Sequence, residues 1–162
     1  MQAAISLGMR ALGSPPRIGM QRIEDPGHTI YIDEPDEAQL GARLDKSVEV
    51  VQEMETRGVG VAQAQRLAEQ FARRDNVNES WFRSLGRARD RNEDRAVQRA
   101  IAEWADGDSI ASHIGYGLDL FCTEDIGNSA GASSILDNRN RAWLTSTYGI
   151  VFVTLTELAT RV

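Results

Sequence analysis

The sequence DSIASHIGYGLDLFCTED, residues 108–125, decides the fold of this chain. Its apolar residues first follow helical spacing and then form the short run that is typical of a strand. We predict a helix that Asp108 begins as its capping residue, a break at Gly115 and Gly117, and a buried strand over residues 118–122. Helix, glycine break and strand in this order indicate an α/β fold.

Asp125 lies just beyond the predicted strand, and Thr123 precedes it by two residues. In open parallel sheets, ligands bind beyond the carboxyl ends of the strands, so Asp125 stands where a functional carboxylate is expected. We expect the preceding helix to bring Asp108 close to Asp125. Each acid also has an ordinary structural interpretation, Asp108 as a helix cap and Asp125 as a turn residue.

Helical spacing of apolar residues also extends through the rest of the chain. The predicted elements are helices over 38–57 and 61–73, one or two helices over 79–104, a loop over 126–134, a helix capped by Asp137 or Asn138, a strand over 150–153 and a short helix capped by Thr156. Before residue 38 we predict a short helix over 2–12 and a strand over 29–33. The N-terminal two-thirds of the chain is therefore expected to be rich in helix.

Several of these segments together resemble a known family. Asp108-Ser-Ile-Ala followed by Gly117-x-Asp-x-Phe-x-Thr-x-Asp125 is similar to the second half of PIN domains, which are Mg²⁺- or Mn²⁺-dependent nucleases. The segments Asn140-Arg-Ala-Trp-Leu, Tyr148-Gly-Ile-Val-Phe-Val-Thr and Glu157-Leu resemble the helix, last strand and closing turn of that fold. The resemblance covers roughly residues 103–162. It implies a three-layer fold with a small parallel sheet flanked by helices.

The resemblance also implies a metal site and a substrate. By motif match, Asp108 and Asp125 are expected to be catalytic, metal-binding acids. Asp106 is expected to be a further acid of the metal site, and Thr123 to orient the site toward substrate. Oxygen ligands suit Mg²⁺ and Mn²⁺, and such ions activate water and stabilise the leaving oxygen of a phosphodiester. The implied protein is a ribonuclease acting on single-stranded RNA, as the toxin of a toxin–antitoxin pair with an antitoxin as its protein partner.

The beginning of the chain departs from this family. PIN domains open with a buried strand that ends in Asp and is followed by a small hydroxyl residue. Tyr31-Ile-Asp33 is the nearest equivalent, but Glu34-Pro35 follows it. Three glutamates are equal candidates for the second acid, namely Glu49, Glu53 and Glu55. We therefore expect a single domain over 1–162 that lacks its N-terminal part, with an exposed sheet edge that favours pairing into a homodimer.

Charge is distributed unevenly in a chain whose net charge is −6. Nine of the 18 basic residues, all arginine, fall between Arg66 and Arg99, where there are six acids. An arginine-rich surface on an acidic protein is compatible with binding phosphates, and we predict Arg87, Arg91 and Arg95 as substrate contacts. The alternative is a solvated helix face on which arginines pair with Glu and Asp.

A single cysteine excludes an internal disulfide and fits a reducing cytoplasm. Cys122 falls in the predicted strand and is expected to be an inert core thiol. No apolar run is long enough to span a bilayer. We expect a cytoplasmic protein that does not enter a membrane.

Two functions of different classes remain open. The first is the metal-dependent ribonuclease, for which Asp108 and Asp125 are essential. The second is a catalytically inactive PIN-like remnant that binds RNA or a protein through the arginine-rich helices. In that case the two aspartates are dispensable, and the predicted arginine contacts carry the binding.

Overall fold

The computed structural model describes residues 37–127 and 133–161. In chain order its elements are α1 (Glu37–Arg57), α2 (Val61–Asp75), α3 (Trp81–Ser84), a 3₁₀ turn (Leu85–Arg87), α4 (Arg91–Gly115), β1 (Leu120–Cys122), α5 (Asn138–Tyr148), β2 (Val151–Val153) and α6 (Leu155–Ala159). The prediction of a helix-rich α/β protein with a small parallel sheet is confirmed. The helix predicted over 2–12 and the strand over 29–33, with Asp33, lie outside the described residues.

Helices α1 and α2 confirm the prediction from apolar spacing to within one or two residues. The Gly58-Val-Gly60 segment separates them, with φ of 74° at Gly58 and 62° at Gly60. These values favour glycine, which has no Cβ to clash in the left-handed region. At Gly60 the chain also passes close to Gly107 of α4, where an added Cβ on Gly107 would lie 3.2 Å from the Gly60 Cα.

Helix α4 is a single helix of 25 residues, and this overturns the prediction that a helix begins at Asp108. The true cap is Asp90, whose side chain accepts hydrogen bonds from the N–H groups of Asn92 and Glu93. An apolar stripe then runs without interruption past Trp104 to Ile110 and beyond, so nothing ends the helix before Asp108. The expected break at Gly115 is confirmed, since α4 ends there.

The main core lies where α1, α4, α5 and the start of β2 meet. It contains Val50, Met54, Val59, Ile110, Ala111, Ile135, Leu136, Leu144 and Ile150. A second cluster joins α2, the 3₁₀ turn and α4 through Ala64, Ala68, Leu85 and Ala100. The rings of Trp81 and Trp104 pack beside it, 5.5 Å apart. Together the two clusters fix α4 along most of its length.

Strands β1 and β2 pair in parallel, with Leu120 opposite Val151 and Phe121 opposite Phe152. The position of β1 was predicted correctly, but its burial was not. Because alternate strand residues face opposite sides, Phe121 turns inward while Leu120 and Cys122 are exposed. Cys122 is therefore a surface thiol, and the expectation of a core thiol was wrong.

The C-terminal helices begin at side-chain caps. Asp137 caps α5 by accepting the N–H of Asn140, as predicted. Helix α6 is capped by Thr154 in a capping box with Glu157, so the prediction of Thr156 was wrong. Thr156 already lies inside the first turn, where its side chain cannot serve as the cap. Within residues 37–127 and 133–161, no helix combines the length and apolar character needed to cross a membrane.

Candidate functional site

Asp125 lies just past the carboxyl end of β1, at the place predicted. The N–H of Thr123 donates to the Val153 carbonyl at 2.9 Å and so extends the strand pairing beyond Cys122. The Thr123 hydroxyl accepts the N–H of Asp125 at 3.1 Å. One Asp125 carboxylate oxygen accepts the N–H of Gly127 at 2.8 Å. These contacts hold the exposed Asp125 in a turn, with one carboxylate oxygen free of hydrogen bonds from the described residues.

Asp106 lies on the side of α4 that faces β1. The same side carries His113, whose ring packs edge-on against Phe121 with centroids 5.3 Å apart. Burial, and then the negative charges of Glu103 and Asp125, raise the pKa of Asp106 from 3.8 to about 6. Helix α4 therefore brings Asp106 within electrostatic range of Asp125. We call Glu103, Asp106 and Asp125 the acidic face.

Glu103 is almost fully buried and was not predicted from the sequence. Its Oε1 accepts the Ile135 N–H at 2.6 Å and the Gly60 N–H at 3.3 Å. Burial raises the pKa of Glu103, and these two hydrogen bonds partly offset the shift. The sequence feature that could have indicated this buried acid is its position in the apolar stripe of the helix, four residues before Gly107. A single carboxylate thus joins the α1–α2 connection, α4 and the segment before α5.

Asp108 is buried in the interior of α4. It lies two positions after Asp106, a spacing that turns the two side chains to nearly opposite sides of a helix. Asp108 shares its side with Ala111, whose carbonyl accepts the Ser47 hydroxyl of α1 at 3.1 Å. The helix thus directs Asp106 toward the strand end and Asp108 toward α1. A role for Asp108 as a metal ligand or catalytic acid stays a prediction.

The donor groups of the acidic face can be compared with the needs of a metal ion. Among residues 37–127 and 133–161, no three Asp, Glu, His or Cys side chains converge as a metal-binding group. Mg²⁺, however, is commonly bound by one or two carboxylates, with water and substrate phosphate completing its shell. Asp106 and Asp125 fit that second kind of site, in which the substrate itself supplies ligands.

Ion pairs occupy the centre of the arginine-rich segment. Asp75 contacts Arg74 at 2.7 Å, Arg89 at 2.5 Å and Arg87 at 3.6 Å. Arg87 also binds Glu79 at 2.5 Å. The hydrogen bond from Arg74 is the largest cause of the lowered pKa of Asp75. These arginines pair with acids, as the alternative interpretation expects, but the pairs connect the end of α2 with the 3₁₀ turn and the loops beside it and do not lie along one helix face.

The other two arginines predicted as substrate contacts lie at the start of α4. Arg91 and Arg95 are exposed. Neither forms an ion pair within the part of the chain that the structure describes. Of the three predicted arginines, Arg87 is thus bound to Glu79 and Asp75, while Arg91 and Arg95 are exposed and pair with no acid in residues 37–127 and 133–161.

Comparison with known proteins gives no match. No family model, no curated protein and no solved structure is significantly similar to this chain.

Proposed function

We propose that this protein is a PIN-like, metal-dependent ribonuclease that cleaves single-stranded RNA with Mg²⁺ or Mn²⁺. The observation that carries the proposal is the position of Asp125 past the carboxyl end of a parallel strand, within electrostatic range of Asp106. In open parallel sheets, ligands bind outside the carboxyl ends of the strands. The parallel pair, joined through α5 and covered by α4, is compatible with a three-layer PIN-like fold.

In this proposal Asp106 and Asp125 hold the ion, and Thr123 fixes the turn that presents Asp125. The bound ion supplies an activated water and stabilises the leaving oxygen of the phosphodiester. Glu103 keeps a further negative charge near Asp106 and so strengthens the attraction for a cation. Since cation binding requires ionised Asp106, metal affinity should rise with pH as that carboxyl ionises around pH 6.

The cellular setting is proposed on the family resemblance. It includes a cytoplasmic location, action as the toxin of a toxin–antitoxin pair, and an antitoxin that covers the acidic face. Homodimer formation through an open sheet edge is part of the same proposal. Exposed apolar side chains along the β1–β2 pair support it, including Leu120 and Val151, 36% and 40% exposed.

The test of the proposal is calorimetric titration with Mn²⁺. Wild type, Asp106→Asn and Asp125→Asn are compared with Asp45→Asn, which removes an exposed acid of α1 that is not part of the acidic face. We expect wild type and Asp45→Asn to bind and the other two variants to lose binding. The same four proteins are then assayed for Mn²⁺-dependent cleavage of an end-labelled single-stranded RNA. Equal binding by all four proteins would refute the acidic face as the metal site.

The second candidate is the inactive binding module, favoured by the unneutralised charge of Arg91 and Arg95. For this function, the calorimetry shows no Mn²⁺ binding in wild type. RNA binding is then present without metal and falls in Arg91→Ala and Arg95→Ala. Asp125→Asn leaves that binding unchanged.

A further inference from the structure

A polar groove lies between α2 and α4. Its volume is about 470 Å³, and we call it the α2/α4 groove. The groove is lined by both helices and by the segment before α5, and its polar and charged residues are Gln63, Arg66, Gln70, Arg99 and Ser133. Neither an acid nor an aromatic ring is among the eight described residues that line it.

The two arginines of the groove differ from those of the ion-pair cluster. Arg66 donates to the backbone carbonyl of Gly58, and no carboxylate among the described residues pairs with Arg66 or Arg99. By contrast, Arg74 and its neighbours are neutralised by three acids. In a chain of net charge −6, the groove therefore concentrates positive charge that no carboxylate of the described residues neutralises. Such a site attracts an anion.

The donor groups in the groove suit phosphate oxygens. Helices α2 and α4 run antiparallel, since Gly60 approaches Gly107 at one end and Arg74 binds Glu93 at the other. Arg66 and Arg99 consequently extend from facing helices, with the amide of Gln70 beside them. Guanidinium groups form forked hydrogen bonds that match phosphate geometry. Because none of the eight described lining residues carries a ring that could stack on bases, contacts here fall on the backbone and are independent of sequence.

The groove is also connected to the acidic face. The Gln63 side chain donates to the Ser133 carbonyl at 2.5 Å at one end of the groove. Two residues on, the N–H of Ile135 binds Glu103, which lies one turn before Asp106. A short segment of chain therefore separates the groove from the carboxylates.

We propose that the α2/α4 groove binds the backbone phosphates of single-stranded RNA next to the acidic face. The choice of RNA as the polymer rests on the proposed function, whereas the affinity for phosphate follows from the groove itself. Its volume falls within the range of about 300–1,000 Å³ typical of ligand pockets. The exposure of Arg66, Gln70 and Arg99 leaves it open to a continuing strand.

The test measures RNA binding without metal, so that it does not depend on catalysis. A fluorescent oligo-uridylate is titrated in EDTA at several salt concentrations and followed by anisotropy. The paired variant Arg66→Gln/Arg99→Gln is compared with Arg73→Gln/Arg139→Gln, which removes the same charge from exposed sites outside the groove. We expect the groove variant to bind roughly tenfold more weakly per lost arginine. Its salt dependence should fall by about 1.4 in log–log slope, the value for two phosphates.

A second variant, Ala96→Glu, keeps both arginines and introduces a carboxylate into the groove. It should also weaken binding, and it tests the proposal if the double variant fails to fold. Wild-type affinity in either folded groove variant, an equal loss in the control pair, or absence of RNA binding by wild type would overturn the proposal. So would displacement of RNA by polyglutamate of equal charge, because the groove would then be a surface for an acidic protein.

The proposed nuclease activity can fail separately. Asp125→Asn should retain RNA binding in EDTA and lose Mn²⁺-dependent cleavage, which supports both proposals. If wild type binds RNA through the groove and cleaves nothing with Mn²⁺ or Mg²⁺, the groove proposal stands and the ribonuclease proposal falls. If cleavage persists while the groove variants bind RNA like wild type, the groove proposal is the one that falls.

Discussion

Replacing Asp106 with asparagine should stabilise the free protein above pH 6 while removing its affinity for metal. The folded state raises the pKa of Asp106 from 3.8 to about 6. Between these values the folded state binds a proton more tightly than the unfolded state, so stability falls as pH rises through this window. The full shift is equivalent to about 3 kcal/mol at 1.36 kcal/mol per pKa unit. Partial exposure of Asp106 screens the charges, and we expect a gain of roughly 1–2 kcal/mol at pH 7.5.

Urea denaturation of Asp106→Asn and wild type at pH 3.5 and pH 7.5 measures this effect. For an m-value of about 1–3 kcal/mol/M, the variant's midpoint at pH 7.5 should rise by roughly 0.3–2 M. At pH 3.5 the two proteins should unfold together, since Asp106 is protonated in both states. The control Asp45→Asn should stay within about 0.5 kcal/mol of wild type at both pH values. A gain that is absent at pH 7.5, or equal at both pH values, would show that burial and the charges of Glu103 and Asp125 do not raise the pKa of Asp106.

Two further predictions concern the packing around the acidic face. Glu103→Ala leaves two buried N–H groups without an acceptor and should lower the free energy of unfolding by about 2–5 kcal/mol in urea denaturation. Glu103→Gln retains an acceptor oxygen and should lower it less. Equal losses in the two variants would contradict the hydrogen-bonding role of Glu103. Gly107→Ala places a Cβ 3.2 Å from the Gly60 Cα and should lower the free energy of unfolding by about 1–3 kcal/mol. Gly41→Ala, which meets nothing within 4 Å in α1, should raise it by roughly 0.5–1 kcal/mol, and a gain at both glycines would disprove the close approach of α2 and α4.

The sequence predicted those parts of the fold that depend on local signals. The bounds of α1 and α2 followed from apolar spacing and from the Gly58-Val-Gly60 segment, and the place of β1 from its short apolar run. Asp137 was recognised as one of two possible caps because a helical pattern begins directly after it. Each of these features is decided within a few residues of chain, where spacing and capping preferences act.

The remaining features depend on contacts between distant segments. The prediction of a cap at Asp108 uses the preference for acids at helix starts, but the cap at Asp90 and the continuing apolar stripe place Asp108 inside a helix. Glu103 was not predicted, because the N–H groups of Gly60 and Ile135 that account for its burial are far away in sequence. Cys122 was expected in the core because a short apolar run predicts a strand. The run does not show which faces of that strand other parts of the chain bury.

The exposed thiol of Cys122 is an attachment point for a spectroscopic probe close to the acidic face. Cys122 is the single cysteine of the chain and lies three residues before Asp125. A nitroxide or fluorophore coupled through maleimide therefore attaches at one known place without any engineered substitution. Because Mn²⁺ is paramagnetic, its arrival beside Asp125 would broaden the nitroxide spectrum. Occupancy of the site can thus be followed in the wild-type sequence, while RNA is added or the pH is changed.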